Sequence, residues 1–460
     1  MAHHTFRPRK SESGSQKGNR NRNRNRPHRM DHEDLENLPE IGYAKFDEMS
    51  PADLAKAAKA EAISLDQERS LVIEQLLDKA NAEYSSVYRK GVLDILPDGW
   101  GFLRSMNYQP SIEDVYVSQS QVKRFGLRPG DIVFGLVREP KEGEKYHGML
   151  RVESINGFST SSAMMQNRVH FDKLTPLFPD EKIVQETDPE KIIGRIIDLI
   201  APIGKGQRGL IVAQPKAGKT TIIKSIANSV AVNCPDVYLM VLLVDERPEE
   251  VTDIKRFVRG QVISSTFDEP AENHMRVAEL CLEQAKRLVE VGRDVVILLD
   301  SITRYSRASN LTINPSGRTL SGGLDPAALY RPRRFFGAAR NVEEGGSLTI
   351  IATALVETGS RMDDQIFEEF KGTGNMELVL NRDLAERRIW PAIDVRLSST
   401  RHEEALFKKD QLEAVVQLHR MLAKSDDAIE ATESLIKLLK RTPNNEAFLE
   451  TIAQRSKATV

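Results

Sequence analysis

The most constraining stretch of this 460-residue chain is GLIVAQPKAGKTT, residues 209–221. An apolar, β-branched run passes through AxxxxGKT into a helix-compatible segment, with Ala213 where the common phosphate-loop pattern has its first glycine. Such a loop wraps backbone N–H groups around a phosphate at a helix N-terminus, so it requires a strand before it and a helix after it. Gly218 would allow close approach of the backbone, Lys219 would reach the β- and γ-phosphates, and Thr220 would sit on Mg²⁺. Ala217 and Thr221 complete the nucleotide-binding stretch; Lys216 either adds charge there or is an exposed loop lysine.

The surroundings suit that requirement. The runs GLIVA, VYLMVLLV, VVILL and SLTIIATALV alternate with helix-like segments, the pattern of a parallel sheet covered on both faces. In such sheets the chemistry collects at the carboxyl ends of the strands. Asp300 ends VVILLD and reads as a magnesium-shell aspartate or a helix cap. Asp245 and Glu246 end VYLMVLLVDE, and one of them, with Glu246 preferred, could position or deprotonate water. The pairs at 343–344 and 368–369 read as solvated faces or ion pairs, and Cys281 as helix core. His274 has no second ligand to make a metal site.

Composition narrows the class further. The longest apolar run, Val237 to Val244, has eight residues against the roughly 20 needed to cross a bilayer, so no membrane span is expected. Only two cysteines occur, Cys234 and Cys281, without metal-like spacing, and no secretory leader is visible; a cytoplasmic setting is expected. A net charge of −2 hides an asymmetry: residues 1–30 hold nine Lys/Arg against Glu12 alone. From Arg20 this arm reads RNRNRNRPHR, too polar to offset its ordering entropy, and serves as a polyanion contact or a solubilising tail.

The chain divides into a disordered basic arm and linker (1–49), a helical subdomain (50–84) opened by Ser50-Pro51-Ala52-Asp53, and a β-rich segment (85–156). A linker (157–180), an α/β domain (181–409) and a helical C-terminal region (410–460) follow, the last helix opening at Thr442-Pro443. Five short strand-like pieces in 85–156, broken by Pro-Asp-Gly, Arg-Pro-Gly and Lys-Glu-Gly, suggest an OB or cold-shock barrel. Trp100 and Phe102, two apart, share one strand face, and Tyr116 lies on a later strand. These rings either fill the barrel core or stack bases of a single strand; in the second case Arg104 is expected to bind RNA beside them, with Lys123 and Arg124 near.

Longer strings carry a resemblance: DGWGFLRS, LLVDERPEEVTD, STFDEPAENH, LLDSITRYSR, RRFFGAARNVEEGGSLTIIATAL, EEFKGTGNMEL and STRHEE. From about residue 50 onward the chain resembles the family of bacterial Rho transcription termination factors. The resemblance implies a RecA-like ATPase core, a homohexameric ring, ATP and Mg²⁺ as cofactors, and 5′→3′ movement along single-stranded nascent RNA. It further implies unwinding of RNA–DNA hybrids and release of transcripts from the RNA polymerase elongation complex. Trp100, Phe102 and Tyr116 match the family's RNA-binding aromatics. Lys216, Lys219 and Thr220 match its phosphate loop, Glu246 its water-activating residue, Asp300 its Walker B acid, and Arg247 a residue near the phosphates. Arg401 matches an arginine finger offered by a neighbouring subunit, Arg388 another interface arginine, and Trp390 the aromatic that packs on adenine. Arg318, in LTINPSGRTLSGG, and Arg361, in ETGSRMDD, stand on loops that would touch RNA in the ring's pore. The competing readings are a nucleotide-switched RNA-binding protein and another hexameric RecA-like ATPase. Deleting residues 1–30 is expected to weaken RNA binding and flatten its dependence on salt; filter binding at several salt concentrations checks this, and an unchanged slope leaves the arm a solubilising tail.

Overall fold

The computed structural model describes residues 42–80, 87–425 and 427–457. The arm at residues 1–41 lies outside them. The segment expected to be linker up to residue 49 instead contains a helix, Tyr43–Asp47. Tyr43 and Phe46 fall on one face; Tyr43 is fully buried, takes its N–H to Glu153 and donates its hydroxyl to the Gly157 carbonyl at 2.8 Å. One turn and a half is too short for periodicity to reveal. The next helix, Pro51–Ala60, begins as the sequence predicts, with the Ser50 hydroxyl accepting from the Asp53 N–H. It stops earlier than expected. Ala62 adopts φ 54° and the Ile63 N–H returns to the Ala58 carbonyl, a Schellman-type closure, before a second helix, Arg69–Ala80. Ile63 is therefore buried from a turn, not from a helix.

The barrel is built from β1 (Val87–Ile95), β2 (Gly101–Arg104), β3 (Val115–Val117), β4 (Ile132–Arg138) and β5 (His147–Ile155). Their order is β3-β2-β1-β4-β5, and a parallel β3–β5 pairing closes the ring around Leu93, Leu103, Val117, Val133, Val137 and Val152. Gly135 is required where β4 and β5 shift register: a Cβ there would lie 2.2 Å from the Arg151 carbonyl oxygen.

The expected linker at 157–180 is ordered along its length. β6 (Phe158–Ser159) extends the barrel sheet, and β7 (Pro176–Leu177) pairs with a strand of the next domain. Two anchors explain this. Phe171 is buried in the α/β core, and the Arg168 guanidinium is buried against Asp131 of the barrel and Glu290 of the α/β domain. Glu344 is exposed, as one of its two readings expects, and accepts both the N–H and the hydroxyl of Thr175.

The second sheet holds β8 (Arg208–Ala213), β9 (Tyr238–Glu246), β10 (Gln261–Thr266), β11 (Asp294–Asp300), β12 (Arg340–Val342), β13 (Ser347–Leu355), β14 (Met376–Leu380) and β15 (Ser399–Thr400). Its main path, β10-β9-β11-β13-β8-β14-β15, is parallel except for β15, and a separate hydrophobic cluster covers each face. The helices Lys409–Leu422, Ala428–Leu439 and Asn445–Lys457 share the second cluster, so the C-terminal region continues this core. The last helix starts two residues past Pro443, where the Asn444 side chain accepts the Ala447 N–H. Fully buried Arg195 binds the Leu439 and Thr442 carbonyls and fastens that region to the domain. Arg168→Met is expected to destabilise the protein by about 3–5 kcal/mol, because it strands the buried Asp131 carboxylate; a loss below about 1 kcal/mol in denaturant unfolding would contradict it.

Candidate nucleotide site and nucleic-acid platform

β8 ends at Ala213, the chain turns through 214–218, and the helix Lys219–Asn233 begins, its first N–H groups facing the loop's concavity. Lys216 (φ 67°) and Gly218 (φ 92°) both lie in the left-handed region, which curls the loop. Lys216 is exposed, Ala217 buried, Thr220 half-buried and Thr221 exposed. A Cβ at position 218 would meet the Trp390 ring at 2.7 Å, so glycine is needed for close approach, and Trp390 stands directly over the loop, 46% exposed.

Parallel pairing brings the neighbouring strand ends to this loop. Lys219 Nζ donates to Asp300 Oδ1 at 2.6 Å and lies 3.4 Å from Glu246 Oε2. Burial opposes the Lys219 charge, but Asp300 and Glu246 outweigh it and hold its pKa above the ordinary lysine value. Burial pushes the Glu246 carboxyl upward, with Lys219 opposing and Asp300 reinforcing the rise. Thr353 Oγ1 donates to Asp300 Oδ1 at 2.8 Å, while Asp300 Oδ2 is buried with no hydrogen-bond partner among the described residues. That unmet oxygen, with the Thr220 hydroxyl at the helix start, is where a divalent cation could be held.

Asp245 and Glu246 separate in space. Asp245 takes φ 57°, which turns its carboxylate to Arg304 at 3.4 Å and leaves Glu246 buried, facing Lys219. Arg304 also binds the Asp245 carbonyl and lies 3.8 Å from Glu246 Oε1. Arg247 is the exposed residue preceding the helix Pro248–Phe257, and Arg388 is exposed just beyond the helix Arg382–Glu386, at the phosphate-loop end of β14.

Arg401 is not brought to this loop. It follows β15, whose Thr400 pairs with Met376, itself beside Gly209 at the opposite end of β8 from Ala213. Four residues of strand, about 13 Å, separate those levels. Within one chain, Arg401 and Lys219 sit at opposite ends of the strands.

The helix Ile302–Thr312 starts two residues after Asp300 and runs to the two arginine-bearing loops. Its Arg304 holds Asp245, its Arg307 forms a two-pronged pair with buried Asp363, and its Asn310 accepts the Asp325 N–H. Arg318 and Arg361 are both exposed. Their loops abut at Gly322, where a Cβ would lie 2.4 Å from the Met362 nitrogen. Arg304, Arg307, Thr353 and Asp363 lie inside strings that carry the family resemblance, but no local spacing assigns them a role; their strand and helix partners do.

On the barrel, Phe102 pairs in register with Tyr116, and its ring is the floor of a cluster. The ring centroids of Trp100, Tyr116 and Tyr146 lie 5.2, 6.3 and 4.7 Å from that of Phe102. Phe102 is buried, whereas Trp100 and Tyr146 are part-exposed and Tyr116 is exposed. Tyr146 joins from just before β5, the strand that closes against β3, a neighbour only barrel closure supplies. Arg104, expected to bind RNA beside these rings, lies behind them. Its guanidinium is paired with Asp94 and Asp114 and lies over the Phe102 ring at 4.8 Å. Lys123 and Arg124 remain exposed. Tyr146→Ala is expected to cost about 1–3 kcal/mol in affinity for single-stranded RNA, and a fluorescence titration that finds no loss would remove Tyr146 from the platform.

Comparison with known proteins bears on both sites. Residues 89–161 match the model of the Rho termination factor RNA-binding domain, and residues 194–400 that of the ATP synthase alpha/beta family nucleotide-binding domain. An ATPase from the type III secretion system of pathogenic bacteria, 24% identical, superposes with a TM-score of 0.51 over 62% of this chain and 87% of its own, a likeness of fold. The sheet is thus a RecA-like ATPase core, and the barrel an OB-type RNA-binding domain. Transcription termination factor Rho of Bacillus subtilis (strain 168) is 59% identical over 381 residues, 82% of this chain and 88% of the relative. The Aquifex aeolicus factor is 53% identical over 87% and 93% of the two chains, and that of Thermotoga maritima 52% over 90% and 97%. With more than half of the aligned positions shared over most of both chains, the protein belongs to the Rho family of transcription termination factors.

Proposed function

We propose that this chain is an ATP-driven RNA translocase and helicase of the cytoplasm that terminates transcription. It holds nascent single-stranded RNA on the barrel, draws it 5′→3′ through the centre of a homohexamer and releases the transcript from the RNA polymerase elongation complex. The observation that carries this reading is the helix Ile302–Thr312, whose Arg304 touches the Asp245–Glu246 strand end while Arg307 and Asn310 touch the Arg361 and Arg318 loops. A single rigid element therefore has contacts at a hydrolytic site and at two exposed arginine loops suited to phosphate. No helix among the described residues is long and apolar enough to cross a membrane.

In the hydrolytic step, ATP lies on the loop 214–218 with its base against Trp390, and Lys219 leaves Asp300 for the β- and γ-phosphates. Glu246 orients a water molecule and takes its proton as the oxygen bonds to the γ-phosphorus, while the bond to the β–γ bridging oxygen breaks and ADP leaves. The raised pKa of Glu246 suits it to accept that proton. Thr220 and Asp300 would hold a bound Mg²⁺, which would supply neutralisation of the developing phosphate charge. Arg247 and Arg388 lie on the rim of the same site, and Arg401 serves the nucleotide of a neighbouring subunit, since it stands at the strand ends opposite its own phosphate loop.

Steady-state ATP hydrolysis without polymer, with single-stranded DNA and with cytosine-rich RNA tests the reading: stimulation by RNA alone is expected, and hydrolysis indifferent to RNA would refute it. Lys219→Ala should lower hydrolysis by about 10²–10³-fold while the barrel still binds RNA. Arg401→Ala should be equally inactive. Mixing the two inactive variants should restore part of the rate, because some interfaces then pair an intact Lys219 with a neighbour's intact Arg401; no recovery would argue against a finger acting between subunits.

A further inference from the structure

The loop between β2 and β3, residues 105–114, joins the strands that carry Phe102 and Tyr116. It reaches out of the barrel and lies along β10, the edge strand of the ATPase sheet. Each residue from 106 to 109 makes a contact there. The Met106 carbonyl accepts Gln261 Nε2 at 2.8 Å, Asn107 Oδ1 accepts the Ser264 N–H at 2.8 Å, and fully buried Tyr108 bonds Gln284 through its hydroxyl. Gln109 Nε2 donates to Glu269 Oε2 at 2.8 Å.

Glu269 is the point where this contact meets the catalytic strand. Its Oε1 accepts the Thr266 N–H at 3.1 Å and its Oε2 accepts the Ser265 hydroxyl at 3.1 Å. His274 Nδ1 lies 2.6 Å from that same hydroxyl, and Asn273 donates to Glu269 Oε2. Ser265 and Thr266 flank the position where β10 shifts register against β9, so that Thr266 stands opposite Glu246. The next residue, Phe267, donates its N–H to the Glu246 carbonyl at 3.2 Å. The Glu269 carboxylate thus clasps the bulge that seats Glu246, and a barrel side chain holds one of its oxygens.

We propose that Glu269 is a positioning residue for ATP hydrolysis, through which a base stacked on Phe102 and Tyr116 of the barrel sets the backbone, and so the aim, of Glu246. This rests on the reading of Glu246 as the water-activating residue. Stacking that favours one setting of β2 and β3 over another moves the loop 105–114, and any such preference is passed to the Glu246 strand end as a shift in population. The route is separate from the helix Ile302–Thr312, which reaches β9 from the other RNA-facing loops.

The test uses the full chain and a cytosine-rich RNA. Gln109→Glu sets a carboxylate against Glu269, and RNA-stimulated kcat is expected to fall about tenfold, with RNA affinity, ATP KM and the unstimulated rate unchanged. Gln109→Lys keeps a donor to Glu269 Oε2 and leaves its bonds from Ser265, Thr266 and Asn273 in place, so it should retain most of the stimulated rate. An unchanged stimulated rate in Gln109→Glu overturns the inference. So does an equal loss in Gln109→Lys, or a loss that tracks lowered RNA affinity or thermal stability, since either marks a merely structural contact. A wild-type chain whose hydrolysis ignores RNA overturns the proposed function itself, and this inference with it, before any variant is compared.

Discussion

The parallel pairing of β9, β11, β13 and β8 is the constraint on which the rest of this protein depends. It sets Glu246, Asp300, Thr353 and the start of the phosphate loop in one row at the carboxyl ends of adjacent strands. A short hydrogen bond then joins Lys219 to Asp300 across that row. The pair is buried, and each partner alone would be an uncompensated charge in a poorly solvated place. A nucleotide resolves that tension by supplying phosphates for the lysine, and a cation can meet the remaining oxygen of Asp300. The binding site is therefore poised by charges that need partners as much as by its shape.

Buried charge also joins the domains. Glu290 ends the helix Ala271–Val289 and meets Arg128 and Arg168 from the barrel side, Arg287 from its own helix and the Phe171 N–H from the connecting segment. With so many partners on one fully buried carboxylate, the barrel and the ATPase core are held in a defined relation. Contacts such as those of Met106 to Gln109 along β10 depend on that relation, because a barrel free to swing would lose their geometry. The connecting segment 157–180, with its serines and prolines, is ordered for the same reason.

The chemical core was legible in the chain because its signals are local. A phosphate loop between strand and helix, acids at the tips of apolar runs, and Trp100 and Phe102 two apart are patterns that backbone geometry converts directly into place. Helix Tyr43–Asp47 escaped because a turn and a half shows no period, and its burial depends on Glu153 and Gly157 more than a hundred residues away. That Asp94 and Asp114 close around Arg104 was not legible, because nothing near it in sequence announces those partners.

The sequence by itself determined the fold class, the nucleotide loop, the acids that serve it and the barrel aromatics, since each follows from periodicity or spacing within a few residues. Tertiary structure alone decided which of Asp245 and Glu246 faces Lys219, that Tyr146 joins the platform, that Arg401 stands away from its own chain's loop, and that Glu269 links the barrel to the catalytic strand. These outcomes turn on strand order, barrel closure and a left-handed residue at a strand end. Such features bring together residues far apart in the chain, and no local pattern encodes their distances.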